Sequence, residues 1–488
     1  ISLDSLEEKD LPWDNTQDLE PQWHGDYIYF LSNRSQVTNI FRVAAKGGEP
    51  EQVTHYQDAD VKGFTLDNDT LVYEYRGELV KKSLANTNAN DKGEALAISL
   101  YADFPWVRPR FEEVEKQIES AAISPTGKRA LFVARGDVFT VPVEHGDARN
   151  LTESSDSREV GAAWSNGGKQ LAWFSDKSGE YRLVIADQLG KPQQEIKLAE
   201  KGFYSGLIWS PDDKQLVFSD QRQQLWLADL SKGKAQVIDS QPVVNPDWEM
   251  APSWSPDSRY LAYSKQDDSF FRSLYLFDSR NNQSNRITQG MADVRYPVWD
   301  SAGDKLYFAA STDYGPHAAW LDMTSVAFTP TYGLYTMLLN TRTEAPMLPR
   351  SDEEEGSTEE ESKGSDAPPA VRIDLNGIAQ RVLPLGESGK IHSLSAGKPG
   401  ELFYMQDLDE TTELRKYSTE ERKADTLAGD VDEYHLSHDG ESLLVKIGDN
   451  WQQFAGAAPM GDDAKTLNVK LTARIVPKAE WQQIFREA

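Results

Sequence analysis

The sequence predicts an all-β protein built as a β-propeller, and a repeated phrase is the main observation behind this prediction. The phrase consists of a Trp, a polar turn and an alternating apolar strand. Four copies place their Trp 45 residues apart, at Trp164, Trp209, Trp254 and Trp299. Weaker copies are centred on Trp23, Phe64, Ile123, Leu394 and Leu436, which makes nine units. Repeats of about 40–45 residues with several short strands each are typical of propeller blades.

Each unit has the same order of predicted elements. An inner strand ends at the marker residue, a turn follows, and an apolar strand, a third strand and a short fourth strand complete the unit. The turn reads Ser-Pro-Asp in copies that begin at Ser210 and Ser255. Pro presets φ at the second turn position and Asp tolerates the tight geometry of the third, so this phrase predicts a hairpin. Four strands per unit match a propeller blade.

The spacing of the units divides the chain into domains. Phe64 and Ile123 are 59 residues apart, and the excess contains two prolines and no copy of the phrase. Because propellers usually close with about four to eight blades, nine units predict two rings. We therefore predict the last two blades of a first propeller in residues 1–98, a linker at 99–117 and a complete seven-bladed propeller at 118–476.

Two further segments depart from the repeat. Trp299 and Leu394 are 95 residues apart, and the excess includes residues 351–366, which hold eight acidic residues against one Lys. This composition predicts a disordered, solvated insertion at about 345–370, with a docking or cation-collecting tail as the alternative. Residues 477–488 switch to helical spacing and predict the start of a helix. Its apolar face, Trp481, Ile484 and Phe485, needs a partner to pack on, so we expect more protein after it.

Composition excludes several classes of partner. The 488 residues contain 51 Lys plus Arg and 79 Asp plus Glu, a formal net charge of −28. Such a chain repels phosphates and lacks a basic stripe, which argues against nucleic acid and anionic membranes. No run of about 18 apolar residues predicts a membrane span. The absence of cysteine excludes disulfides and thiol chemistry within this chain.

Catalytic and ligand-binding motifs are missing from the sequence. It contains no Gly-x-Ser-x-Gly elbow, phosphate loop, dinucleotide fingerprint or His-Glu-x-x-His phrase. His435 and His438, beside Asp439, form the one close His pair, and a polar turn explains them better than a metal site. We also expect the marker Trp residues to pack between blades rather than to form a ligand cage. The sequence thus assigns no catalytic, cofactor-binding or metal-binding residue.

Small side chains occupy one position of the inner strands, three residues before the marker. These residues are Ser120, Gly161, Gly206 and Ala251, which we call the four small residues. Small side chains near the propeller axis would leave an open tunnel, and close packing of the inner strands would select them equally well. They are our candidates for lining a channel.

Several phrases resemble the second propeller of tricorn-type proteases. They are Trp106–Arg110, Gln117–Arg129, Ala134–Pro142 and Lys201–Tyr204. The closing phrase, Ala479–Ala488, is similar to the segment that leads in this family from the second propeller into the catalytic half. The resemblance covers nearly the whole chain. The acidic insertion and the absence of most of a first propeller are departures from it.

The resemblance implies that the first two blades end a six-bladed propeller. In this family a serine peptidase centre and a PDZ module lie in later domains, so it assigns no catalytic residue and no cofactor to this chain. It also implies peptides as ligands, contact with the chain's own catalytic and PDZ domains, and a homo-oligomer. The family's propellers are thought to act as selective channels for oligopeptides.

We therefore expect the propeller portion of a tricorn-like serine peptidase, which contributes substrate access and assembly. The alternative is a TolB-like propeller that serves as a protein-binding scaffold, because its repeats share the Trp-Ser-Pro-Asp phrase. The helix at 477–488 favours the peptidase. A propeller hydrolase with its own pocket is weakened by the missing nucleophile motif. Similar bacterial proteins suggest the periplasm as the location, with the cytoplasm as the alternative.

Overall fold

Antiparallel strands dominate the computed structural model, which describes residues 14–86, 88, 90–99, 101–242, 249–313, 330–349 and 369–488. The chain forms two compact units, Ile1–Phe104 and Pro105–Ala488. The predicted boundaries at 98 and 118 stay predictions. The core of the predicted acidic insertion, residues 351–366, lies outside the described residues.

The first unit contains two four-stranded antiparallel sheets in which neighbours in sequence are neighbours in the sheet. Leu31 and Ile40 of the first sheet and Leu71 and Tyr73 of the second share one hydrophobic core. The strands are β1 (Asp18–His24), β2 (Tyr27–Ser35), β3 (Val37–Ala44), β4 (Glu51–Gln52), β5 (Val61–Asp67), β6 (Thr70–Tyr75), β7 (Glu78–Ser83) and β8 (Glu94–Ala95).

The second unit begins with a short strand and continues into four successive four-stranded sheets. The first strand is β9 (Arg110–Glu113). The sheets comprise β10 (Ile118–Ile123), β11 (Arg129–Ala134), β12 (Asp137–Pro142) and β13 (Arg149–Asn150); β14 (Glu159–Trp164), β15 (Gln170–Ser175), β16 (Arg182–Asp187) and β17 (Pro192–Lys197); β18 (Tyr204–Trp209), β19 (Gln215–Asp220), β20 (Gln224–Asp229) and β21 (Lys234–Ser240); and β22 (Ser253–Trp254), β23 (Tyr260–Gln266), β24 (Arg272–Asp278) and β25 (Gln283–Arg286).

A seven-stranded sheet and a further four-stranded sheet follow. In the seven-stranded sheet, the long strand β29 pairs with β28 through its first half and with β30 through its second half, so it joins two blade-like halves. The strands are β26 (Asp293–Trp299), β27 (Lys305–Ser311), β28 (Tyr332–Leu338), β29 (Val382–Ala396), β30 (Glu401–Asp407), β31 (Thr412–Ser418) and β32 (Lys423–Ala428); β33 (Glu433–Leu436), β34 (Ser442–Ile447), β35 (Asn450–Ala455) and β36 (Lys465–Thr466); and finally β37 (Thr472–Ile475) and the helix α1 (Pro477–Glu487). Short 3₁₀ helices lie at Pro105–Val107, Glu115–Gln117 and Ile378–Gln380.

Several inner strands of the second unit contact one another. Strand β14 contacts β10 and β18, and β26 contacts β22 and β29. Strand β10 of the first sheet also contacts β33 of the last, so the series returns to its start. This arrangement confirms the β-propeller class, while the blade number stays a prediction.

A Ser in the turn after the inner strand explains why the hairpins recur so regularly. Ser210 is fully buried, its Oγ donates to Asp212 (2.7 Å), and it accepts a hydrogen bond from the Gln215 backbone N–H at 2.9 Å. Ser255 does the same with Asp257 and Tyr260. The side chain thus satisfies a buried backbone donor at the start of the next strand, as side-chain bonding in turns commonly does.

Strand β9 forms inside the range predicted as a linker and pairs with β37. Arg110 lies opposite Ile475, and Glu113 lies opposite Thr472. We call β9 and β37 the terminal strand pair of the second unit. The alternation of residues 466–476 indicates a strand there, but it does not reveal the pairing, because neither strand belongs to a repeat and more than three hundred residues separate them.

Candidate functional site

The four small residues lie at or next to the first strands of their sheets. Ser120 lies in β10, Gly161 in β14 and Gly206 in β18, whereas Ala251 precedes β22 by two residues. Strand β14 contacts both β10 and β18, so Ser120, Gly161 and Gly206 lie on neighbouring inner strands. Their role as channel-lining residues stays a prediction.

Backbone conformation gives a reason for small residues at this position. The pairing register shifts in β14 between Val160 and Ala163 and in β18 between Ser205 and Ile208, so each strand contains a bulge. Inside these bulges, φ is +65° at Gly161 and +70° at Gly206. Glycine adopts this left-handed region without the cost that a Cβ imposes.

The same left-handed conformation recurs later in the chain with other residue types, before β22 and within β26 and β29. Ala251, Tyr296 and Ser393 have φ values of +45°, +53° and +56°. A tyrosine at this position shows that a small side chain is not required in every sheet. In β10 the register shifts beside Ser120, which does not have a positive φ. Alternating hydrophobicity gives no signal for such bulges, so sequence reasoning missed them.

Gly161 and Gly206 differ in the room that a side chain would have at each position. A Cβ on Gly206 would meet no atom within 4 Å. A Cβ on Gly161 would make ordinary contacts of 3.7 to 4.0 Å with Phe174 and the Cα of Ser205. Ser120, Gly161 and Ala251 are partly exposed and Gly206 is exposed. These four residues are therefore at least partly accessible to solvent.

The marker Trp residues pack between sheets, as predicted. All four are between 4% and 9% exposed. Trp164 packs against Leu131 and Val133 of the preceding sheet and against Leu171 of its own. Trp299 Nε1 donates to the carbonyl oxygen of Ser253 in the preceding sheet (3.0 Å). Buried rings that join neighbouring sheets stabilise the fold and leave no room for a ligand cage.

A buried carboxyl group lies on the wall of a cavity of about 270 Å³ in the second sheet of this unit. Glu159 is 3% exposed and accepts hydrogen bonds from Ser154, Ser157 and Ser175 at 2.7 to 2.9 Å. Burial raises the pKa of Glu159 to about 7, although the three hydroxyl groups favour the charged form. The charge of Asp137 repels a charged Glu159 and so also raises the pKa of Glu159. Burial raises the pKa of Asp137 as well. Sequence reasoning missed this group.

The helix α1 docks on the second unit through polar contacts. Gln483 is 5% exposed, and its Nε2 donates to Asp176 at 2.8 Å. Glu487 accepts hydrogen bonds from Arg158 Nη1 (3.1 Å) and the Tyr181 hydroxyl (3.0 Å). Burial would raise the pKa of Glu487, but these hydrogen bonds and the one from Gln483 lower it. The buried face of the helix is therefore hydrophilic.

The apolar face of α1 points to solvent. Trp481, Ile484 and Phe485 are 48%, 52% and 85% exposed. Trp106 of the adjacent 3₁₀ helix, which contacts α1, is 60% exposed. The sequence predicted that this face needs a partner, and the described residues leave it uncovered.

One Ser, His and Asp come together in β29 and β30. His392 Nδ1 is 3.0 Å from Ser393 Oγ, and its Nε2 is 3.2 Å from Asp407 Oδ1. The contact between His392 and Ser393 joins chain neighbours, and the His and Asp side chains are 32% and 45% exposed. Activated nucleophiles work in water-excluded sites, so we assign this group no catalytic role.

The His pair at the last sheet has separate environments. His435 Nε2 lies 2.8 Å from Glu433 Oε1, which lowers the pKa of Glu433, and burial lowers the pKa of His438. Within the described ranges, no three His, Asp or Glu side chains are placed to hold a metal ion. In the same part of the chain, no helix is long and apolar enough to cross a bilayer.

Comparison with known proteins identifies the family. The sequence pattern described as the tricorn protease second beta propeller domain matches residues 118–455. The chain belongs to the tricorn protease family. The resemblance seen in the sequence is therefore confirmed, and it covers the larger part of the second unit.

Tricorn relatives align along nearly the whole chain. Tricorn protease homolog 1 of Streptomyces coelicolor is 23% identical over 96% of this chain and 46% of its own length. The tricorn protease homolog of Saccharolobus solfataricus is 23% identical over 94% of this chain and 42% of its own. The chain thus spans about half the length of these tricorn relatives.

Solved structures agree with the tricorn fold. A crystal structure of the tricorn protease superposes on 98% of this chain and 46% of its own length, with a TM-score of 0.69 and 17% identity. A putative TolB from Agrobacterium tumefaciens superposes far less well, with a TM-score of 0.36 and 13% identity. The likeness to TolB carries no functional inference.

Proposed function

We propose that this chain is the propeller portion of a tricorn-like serine peptidase that acts on oligopeptides. Its task is to admit substrate and to hold the peptidase together, while bond cleavage takes place elsewhere in the protein. The family match over residues 118–455 carries this proposal. Relatives about twice as long as this chain leave room for a catalytic region outside it.

The open space beside the inner strands supports the access role. Gly206 is exposed and a Cβ there would be free of contacts, while Ser120, Gly161 and Ala251 are partly exposed. An extended peptide that passes this face can pair with exposed backbone groups, whereas a folded protein is too wide. The bulges in β14 and β18 interrupt regular pairing along the same strands.

The exposed apolar face of α1 supports the assembly role. Trp481, Ile484 and Phe485 would lose contact with water if the catalytic region packed over them. Burial of large side chains of this kind stabilises by about 1.5 to 3 kcal/mol each. The polar contacts of Gln483 and Glu487 hold the helix in place, so its apolar side is presented outward.

Site-directed labelling of the full protein tests the access role. This chain has no cysteine, so Ser120→Cys or Ala251→Cys introduces its sole thiol, which a bulky maleimide then modifies. Any cysteine elsewhere in the protein is first replaced. We expect labelling to lower kcat/KM for a peptide of about ten residues, because the label narrows the path that an extended chain must take.

Ser231→Cys, an exposed residue next to β20 and β21, is the matched control and should leave cleavage unchanged after labelling. A short fluorogenic peptide checks that the catalytic centre still works. Equal cleavage of the long peptide by all labelled variants would contradict the access role.

A further inference from the structure

A second cavity, of about 520 Å³, lies where the first and last sheets of the second unit meet. The turn Thr126–Arg129 between β10 and β11 and the segment Pro142–His145 after β12 line one side. Ser442, Gln453 and Lys465 of β34 to β36 line the other. We call it the seam cavity.

A glycine in the turn allows the two sides of the seam cavity to approach. Gly127 has φ of +70°, and a Cβ at this residue would clash with the side chain of Ser442. The cavity walls are therefore held close by backbone packing as well as by the ion pair between Lys465 Nζ and Glu144. A rigid wall is a better basis for a binding site than a pair of free loops.

Cations outnumber anions around the seam cavity. Its lining contains Lys128, Arg129 and Lys465 but one carboxylate, Glu144, which pairs with Lys465. Among the described residues, Lys128 and Arg129 form no ion pair with a carboxylate. This is unexpected on composition, because the chain has 79 acidic residues for 51 basic ones. The charges of Lys128 and Arg129 are thus not balanced by a carboxylate of the cavity lining.

The contacts of Arg129 leave its charge available. Its Nη2 donates to Thr140 Oγ1 (3.0 Å) and to the carbonyl oxygens of Thr140 (3.1 Å) and Asp147 (3.2 Å), all neutral acceptors. Its Nε is buried, with no hydrogen-bond partner in the described part of the chain. Burial and the charge of Arg149 lower the pKa of Arg129. Because Nε has almost no solvent-accessible surface, it takes no part in ligand binding, and the remainder of the guanidinium group carries the charge.

Comparison with the other repeats shows that the fold does not require this pair of cations. The equivalent turn residues are Lys169 and Gln170 in the second sheet and Lys214 and Gln215 in the third. Lys214 also pairs with Asp212 (3.1 Å). Among these three sheets, a cation at both positions occurs in the first, which borders the seam cavity together with the last sheet.

We propose that the seam cavity binds the carboxylate or phosphate group of a small organic anion. Lys128 and Arg129 supply the charge, and charge-assisted hydrogen bonds to such oxygens are about twice as strong as neutral ones. Thr126, Ser442 and Gln453 add neutral polar groups, while Pro142 and Val143 offer an apolar wall. The volume exceeds that of a single oxyanion, so part of the organic molecule also fits.

Calorimetric titration of the full protein at constant ionic strength tests this site. The probes are inorganic phosphate, an N-acetylated dipeptide with a free carboxylate, and the amide of the same dipeptide. We expect phosphate or the free dipeptide to bind and the amide not to bind. Phosphate alone assigns a phosphate site, and the free dipeptide alone assigns a carboxylate site. If no probe binds, or if the amide binds as well as the acid, the proposal is overturned.

Two variants place the binding in the seam cavity. We expect two variants, Lys128→Gln and Arg129→Gln, each to weaken binding by about tenfold, because each loses a charged contact. Gln is also the residue found at the position of Arg129 in the next two sheets. Lys128 is exposed, so its replacement leaves the fold intact even if Arg129→Gln disturbs the contacts to Thr140. Lys169→Gln, at the same turn position one sheet away, is the control. An equal loss with Lys169→Gln would show non-specific attraction and overturn the proposal.

Discussion

The buried carboxyl group of Glu159 shows how much a single residue can couple this propeller to pH. Its three Ser partners hold it in place, yet burial raises its pKa to about 7. Between about pH 4.5 and 7, the folded protein keeps a proton that the unfolded chain releases. The free energy of unfolding therefore falls as pH rises through this window, opposite to the behaviour of a carboxylate in an ion pair.

We predict that Glu159→Gln removes this pH dependence. The variant should match the wild type near pH 4.5 and be more stable at pH 8 by on the order of 3 kcal/mol, because one pKa unit is worth about 1.4 kcal/mol. Urea unfolding at a series of pH values measures the difference. Glu195 lines the same cavity, but its side chain is 51% exposed, so Glu195→Gln is the control. Its free energy of unfolding should differ little from that of the wild type at any pH. Parallel pH profiles for Glu159→Gln and the wild type would refute the prediction.

The sequence shows that the four small residues have small side chains, but it does not show why small residues occur at these positions. Gly161 and Gly206 looked like residues chosen for size, whereas the structure places them in bulges with positive φ. A bulge adds one residue to a strand without changing its composition, so no pattern of apolar residues reports it.

The terminal strand pair is the element that departs most from the repeat. Strands β9 and β37 pair along four residues, and the side chains of Val114, Leu471, Ala473 and Ile475 are at most 4% exposed. They join the core of the first and last sheets through Trp451. A strand pair that joins the two ends of a ring reduces the freedom of both ends to separate.

We predict that Ile475→Ala lowers the free energy of unfolding of the second unit by about 2 to 4 kcal/mol, because it leaves a cavity in this core. Hydrogen exchange at residues 110–113 should also accelerate, since their pairing with β37 weakens. Leu189→Ala, at a residue that is 67% exposed and belongs to no proposed interface, is the control and should change stability by less than about 0.5 kcal/mol. The prediction fails if both variants unfold at the same urea concentration.

Charge acts at the scale of the whole molecule. A net charge of −28 produces a negative field that attracts cations and repels anions over distances set by salt. The Debye length is about 8 Å at physiological ionic strength, so this attraction weakens as salt is added. The cationic seam cavity is a local exception to this field.

We predict that the full peptidase prefers cationic peptides at low salt. Its kcat/KM for a peptide rich in Lys should exceed that for an uncharged peptide of the same length, and the gap should narrow between about 20 and 300 mM salt as the field is screened. Steady-state kinetics on matched peptide pairs measure the gap. A preference independent of salt and of peptide charge would rule out steering by the field.

The repeated phrase was sufficient to predict the propeller, the order of strands in each unit and the packing role of the marker Trp residues. These features depend on interactions within one unit or between neighbours, so they recur with the period of the sequence. Helical spacing also predicted the apolar face of α1, whereas the terminal strand pair, the burial of Glu159 and the seam cavity were decided by the tertiary structure. Each of these features depends on contacts between residues that are distant in the chain. Such contacts produce no periodic pattern in a single sequence.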